Sequence, residues 1–113
     1  MRNSAADDLS RHLSRNEKLV AKIRELGGDL HDGRAVDFFF YASCEHDAEE
    51  IAGELRDLGF VNVQVGERKD KWAITAEKHA SVAAITETAF VAQLIALVSR
   101  YTEAEFDGWG TAI

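Results

Sequence analysis

The run Val36-Asp37-Phe38-Phe39-Phe40-Tyr41 decides the fold. An unbroken aromatic and β-branched stretch of this length suits a central strand with at least one well-covered face. Everything on its C-terminal side can be ordered around it. Residues 45–58 have helical spacing, with Ala48, Ile51, Ala52, Leu55 and Leu58 as the buried stripe and Glu45, Asp47, Glu49, Glu50, Glu54 and Asp57 supplying acid. The early acids sit well against the positive end of the helix dipole. Ser43 or Asp47 is the expected cap, Asp47 forming a capping box with Glu50, and Gly59 stops the helix.

Phe60-Val61-Asn62-Val63-Gln64-Val65 alternates apolar and polar as a second strand. Gly66 to Asp70 reads as a charged hairpin loop leading into a third strand over residues 71–78, with Trp72, Ile74 and Ala76 on one face. Residues 81–101 predict one long helix, apolar at Val82, Ile85, Ala89, Ala92, Leu94, Ile95, Leu97, Val98 and Tyr101. Glu105-Phe106-Asp107 opens a last short strand. On the N-terminal side, residues 5–27 form an amphipathic helix carrying Leu9, Leu13, Leu19, Val20, Ile23 and Leu26. Arg11, Arg15, Lys18, Lys22 and Arg24 are left for solvent; Ser4 is the expected cap and Gly27-Gly28 the stop.

The resulting order is an extra helix followed by β-α-β-β-α-β, the split βαβ arrangement. It predicts an α+β fold: a four-stranded antiparallel sheet with two helices on one face. No linker or internal repeat divides the 113 residues, so one domain is expected over 1–113, with 1–30 as an N-terminal helical extension. The start, Met1 to Asp8, lacks the apolar stretch of a secretory signal, and one cysteine, Cys44, cannot close an intramolecular disulfide. A cytoplasmic chain without a membrane span is expected.

Charge is unevenly distributed. Residues 1–35 carry seven Lys/Arg against six Asp/Glu, and residues 36–113 carry six against fourteen, giving −7 overall. An acidic body repels phosphate backbones, so a basic protein surface is a better partner than nucleic acid. The third strand offers Trp72 alone, without the aromatic pattern by which sheets of this strand order stack RNA bases.

No catalytic constellation emerges. His12, His31, His46 and His79 stand at no metal-ligand spacing, and no cysteine pair supports them. Glu50 and Glu54 share a helix face, but acid–base work needs one carboxyl buried beside the other, and that face is acidic throughout. Gly108-Trp109-Gly110 is not a phosphate loop, since no helix start follows it. Glycine is poor in a strand. Two glycines flanking a tryptophan therefore indicate a tight backbone bend or a surface that another chain approaches closely.

The ending Tyr101 to Thr111, with its core Phe106-Asp107-Gly108-Trp109-Gly110-Thr111, resembles the hallmark ending of the ribonuclease E inhibitor B family (regulator of ribonuclease activity B). The order of elements upstream matches as well, including the acidic helix that ends Leu58-Gly59-Phe60. The resemblance implies a ferredoxin-like fold and a bacterial protein that acts by binding, not catalysis. Its partner would be ribonuclease E, whose cleavage of RNA it lowers without a cofactor. On that reading Asp107, Gly108, Trp109 and Gly110 form one part of the contact, with Trp109 as aromatic anchor. Glu49, Glu50, Glu54 and Asp57 add a steering surface. The competing reading of Trp109 is a plug in the core beneath the first helix. Two other functions stay open: an interaction module of another system, such as an immunity or antitoxin partner, and a small-molecule-binding domain. Self-association through the open sheet face or an outer strand, giving a homodimer, is open too.

Overall fold

The computed structural model describes residues 5–111. The first helix, α1, spans Ala5–Glu25, and β1 follows over Arg34–Ala42. Helix α2 spans Glu45–Asp57, β2 Val61–Arg68 and β3 Lys71–Ala80. A single turn α3, Val82–Ile85, precedes α4, Thr88–Ser99, and the chain closes on β4, Glu105–Thr111. The four strands make one antiparallel sheet in the order β2-β3-β1-β4. This is the order of a ferredoxin-like sheet, with α1 added ahead of it.

β1 is central because its sequence supplies one wholly apolar face. Val36, Phe38, Phe40 and Ala42 are buried, while Asp37 and Phe39 point the other way. Against the buried face lie Ile51, Leu55, Leu94, Ile95 and Val98 from α2 and α4, together with Ile74, Ala76 and Phe106 from the neighbouring strands. The Phe38 ring meets Phe60 edge-on at 5.2 Å and lies 5.8 Å from Phe90; Phe40 and Phe106 are 5.1 Å apart. Each such pair adds about 0.5–1.5 kcal/mol beyond area burial. α2 packs over β2, β3 and β1, and α4 over β4 and α1, so both helices cover the same face.

Four local expectations are corrected. The loop between β2 and β3 is two residues, Lys69-Asp70, and Gly66 lies inside β2; Lys69 takes φ +56° and closes the turn without a glycine. The long third helix is broken. Thr86 turns its hydroxyl back onto the carbonyls of Val82 (2.8 Å) and Ala83 (3.3 Å), competing with the main-chain ladder, and α4 restarts at Thr88, leaving Ala89 exposed. Ser81 caps α3 by accepting from the Ala84 amide at 3.1 Å. Helix α2 starts from Cys44 with no side-chain cap, so neither Ser43 nor Asp47 serves; the Ser43 hydroxyl instead reaches the Thr102 carbonyl at 3.2 Å. Leu58 and Leu26, both expected inside, are 39% and 60% exposed, beyond the last full turns of α2 and α1. Ser4, the expected cap of α1, lies outside the described residues. No helix among the described residues is long and apolar enough to cross a membrane.

Candidate functional site

The site begins with an irregularity in β4. Phe106 stands opposite Phe40, but Gly108 stands opposite Phe39, so Asp107 is an extra residue and the strand bulges. Gly108 sits at φ +132°, which only glycine adopts without strain. The bulge returns Trp109 to the register of Phe38, and Trp109 packs half-buried against the core.

Helix α1 docks on this bulge through a polar triad at i, i+3 and i+4. His12 Nε2–H donates to the Phe106 carbonyl at 2.9 Å, and its ring stacks on Phe106 with centroids 4.7 Å apart. Arg15 Nη1 donates to the Asp107 carbonyl at 2.6 Å. Trp109 Nε1–H donates to Asn16 Oδ1 at 2.9 Å. β4 has a strand partner on one side only. These contacts therefore satisfy carbonyls at a sheet edge that would otherwise be open to pairing with another chain. Arg15, expected in solvent, and His12 and Asn16, both buried polar residues, escaped the sequence reading because hydrophobic periodicity reports only apolar positions. Their i, i+3, i+4 spacing was visible; their partners were not.

Burial lowers the His12 pKa from the ordinary 6.5, and the neighbouring Arg15 and Arg11 act in the same direction, against the Phe106 hydrogen bond and Asp8. The folded state thus holds the His12 proton less tightly than the unfolded chain. By linkage, its contribution to stability is present above about pH 6.5 and falls away as pH drops through the unfolded value. Urea midpoints are expected to decline between pH 7.5 and 5.5, and His12→Gln is expected to flatten that decline.

The acids of α2 are placed elsewhere. α2 covers β2, β3 and β1, whereas Asp107, Gly108, Trp109 and Gly110 occupy β4 at the far edge; the two sets do not form one patch. Within α2 the four acids differ. Glu54 accepts from Arg100 and from the Tyr101 hydroxyl, tying α2 to the end of α4. Burial, followed by the Glu54 hydrogen bond, pushes the Tyr101 pKa up to about 12, so the phenol stays a donor at neutral pH. Glu50 pairs with His46 at 3.2 Å. Glu49 and Asp57 are exposed and have no such partner among the described residues. Glu54 and Asp57 line a cleft of about 420 Å³ between α2 and α4, with Leu58, Leu97 and Arg100.

Cys44 is exposed, and no group of three or more His, Cys, Asp or Glu side chains is placed to hold a metal among the described residues. The described surface presents a helix-docked edge strand, an acidic helix and an open sheet face.

The family model described as Regulator of ribonuclease activity B matches residues 14–111, from the middle of α1 through the end of β4. No curated protein matches the chain.

Proposed function

We propose, from the premise that this chain belongs to the regulator of ribonuclease activity B family, that it binds ribonuclease E and slows its cleavage of RNA by contact alone. The family match over residues 14–111 carries this reading. A cytoplasmic bacterial protein with no cofactor and no reaction of its own fits it. The acidic half of the chain supplies attraction toward a basic enzyme surface, acting on the rate of encounter more than on final affinity. Of the four acids expected to steer, Glu49 and Asp57 are exposed and without a partner among the described residues, the part-exposed apolar Leu58 adjoining Asp57, while Glu50 and Glu54 are engaged by His46 and Arg100. Asp107, exposed at the bulge, and the outer edge of Trp109 form the second contact, while Gly110 keeps the strand low enough for a partner to approach and Gly108, buried under Arg15, shapes the bulge that presents them.

A cleavage assay tests the reading. Ribonuclease E and a structured RNA substrate are mixed with increasing amounts of the chain. Cleavage is expected to slow to a plateau set by the complex, and the Glu49→Gln, Asp57→Asn double variant to require more protein for the same effect, most visibly at low salt. An unchanged cleavage rate at concentrations well above micromolar contradicts it.

A further inference from the structure

The face of the sheet turned away from α2 and α4 is covered by no element among the described residues. Strand register lays it out in rows. One row reads Val61, Glu77, Asp37, Gly110; the next Gln64, Thr75, Phe39, Gly108; the third Gly66, Ala73, Tyr41, Glu105. Thr75 and Gly108 on its two flanks leave Phe39, 37% exposed, standing above the surface, and Tyr41 follows between Ala73 and Glu105.

The third row binds a cation of the chain itself. Lys71 Nζ lies 5.6 Å from the centre of the Tyr41 ring and 3.5 Å from Glu105 Oε1. The first two rows repeat this chemistry with a stronger acid component: the Phe39 ring, with Asp37 and Glu77 directly opposite one another. No basic side chain of the described residues pairs with either carboxylate. Among the described residues Glu77 accepts from Asn62 alone, at 3.3 Å; Lys78 turns to the other face over Phe60; Arg15 is held by the Asp107 carbonyl. His79, in the row beyond, stands opposite Ala35 and beside Gly33. Like charges directly opposite across strands are destabilising. Here the cost falls beside the one exposed aromatic of β1, where an arriving cation would remove it.

We propose that this open sheet face is a docking surface for a basic protein segment, an arginine of which lies on Phe39 and bridges Asp37 and Glu77. A guanidinium suits the site better than an ammonium, because its plane stacks on a ring while its fork spans two carboxylates. An RNA strand is disfavoured by Asp37, Glu77 and Glu105. The inference rests on the reading that the chain works by binding a protein, and it adds a surface which that reading does not use.

The test is an NMR titration of the ¹⁵N-labelled full chain with the peptide acetyl-Gly-Arg-Gly-Arg-Gly-amide, with the neutral citrulline isostere as control. Amide shifts are expected along residues 35–41 and 73–79. Asp37→Asn with Glu77→Gln is expected to weaken binding roughly tenfold, and Phe39→Leu a few-fold. The thermal midpoint of the double carboxamide variant should not fall, since a repulsive pair is removed. No shift at millimolar peptide, equal binding of the citrulline peptide, shifts confined to α2, or an unaffected double variant each overturns the proposal. So does an oligoribonucleotide that shifts the same amides, or a dimer by sedimentation that buries this face. Ribonuclease E separates the two readings. If it binds wild type and double variant equally, the sheet-face proposal falls and the regulator reading stands. If it binds neither while the peptide behaves as expected, the reverse holds.

Discussion

Trp109→Ala is expected to destabilise the chain by about 3 kcal/mol, somewhat below the top of the range for a fully buried aromatic because the indole is only half-buried. Two losses combine. The ring leaves a cavity where it packs against the core in the register of Phe38. Its N–H also leaves Asn16, which is 4% exposed, with an unsatisfied amide oxygen, and an orphaned buried acceptor is itself costly. For a chain of this size the change corresponds to roughly 10–20 °C in thermal midpoint. Trp109→Phe keeps most of the ring and loses the donor, so a loss of about 1 kcal/mol is expected. Calorimetric melting checks both. If the alanine variant melts like wild type and fails only to bind ribonuclease E, Trp109 is a contact residue and its core role is minor.

Gly108→Ala is expected to cost about 2 kcal/mol, out of proportion to a single added methyl group. The backbone at φ +132° does not accommodate a side chain without strain, and the new Cβ would lie 2.8 Å from Arg15 Nη1. The guanidinium can swing away, but then its bond to the Asp107 carbonyl is lost and α1 is loosened at its central contact. Gly110 provides the control two residues on. Its Cβ would meet only Phe39 Cε2, at an ordinary 3.8 Å, and its φ is not in the left-handed region. Gly110→Ala is therefore expected to be nearly neutral. Chemical denaturation of both variants decides: equal losses would mean that the bulge is not what Gly108 serves.

These two variants show what the sequence could and could not reveal. The unbroken run from Val36 to Tyr41 made β1 central, and the order of elements around it was sufficient for the sheet, because each strand and helix carries its own apolar period. The two glycines in β4 announced a bend. What they serve was not legible, since the bend matters only through α1, more than 90 residues away in sequence. Periodicity also misplaced the contact face of α1. His12 and Asn16 are buried because a carbonyl and an indole N–H satisfy them, and a hydropathy pattern has no access to those partners. The break at Thr86 rests on a side-chain bond to the backbone, a local choice that the apolar stripe of residues 82–98 conceals. The pairing of Asp37 with Glu77 exists only once register is known.

The candidate site divides along the same line. The four acids expected to steer were readable as a group, but their states were not: Glu54 is committed to Arg100 and Tyr101, Glu50 to His46, and of the four Glu49 and Asp57 remain exposed without a partner among the described residues. A steering surface of four charges is thereby reduced to two unpaired ones. Exposed charges act mainly on encounter, so variants at Glu49 and Asp57 should change the salt dependence of association more than the lifetime of a complex.

The most direct test is calorimetric titration of the chain into ribonuclease E at low and at physiological salt. Saturable binding that weakens as salt rises, with one chain per enzyme site and cleavage slowed over the same concentration range, is the predicted result. No heat at either salt concentration, with RNA cleaved at an undiminished rate, would contradict the claim that this chain regulates the enzyme by binding it.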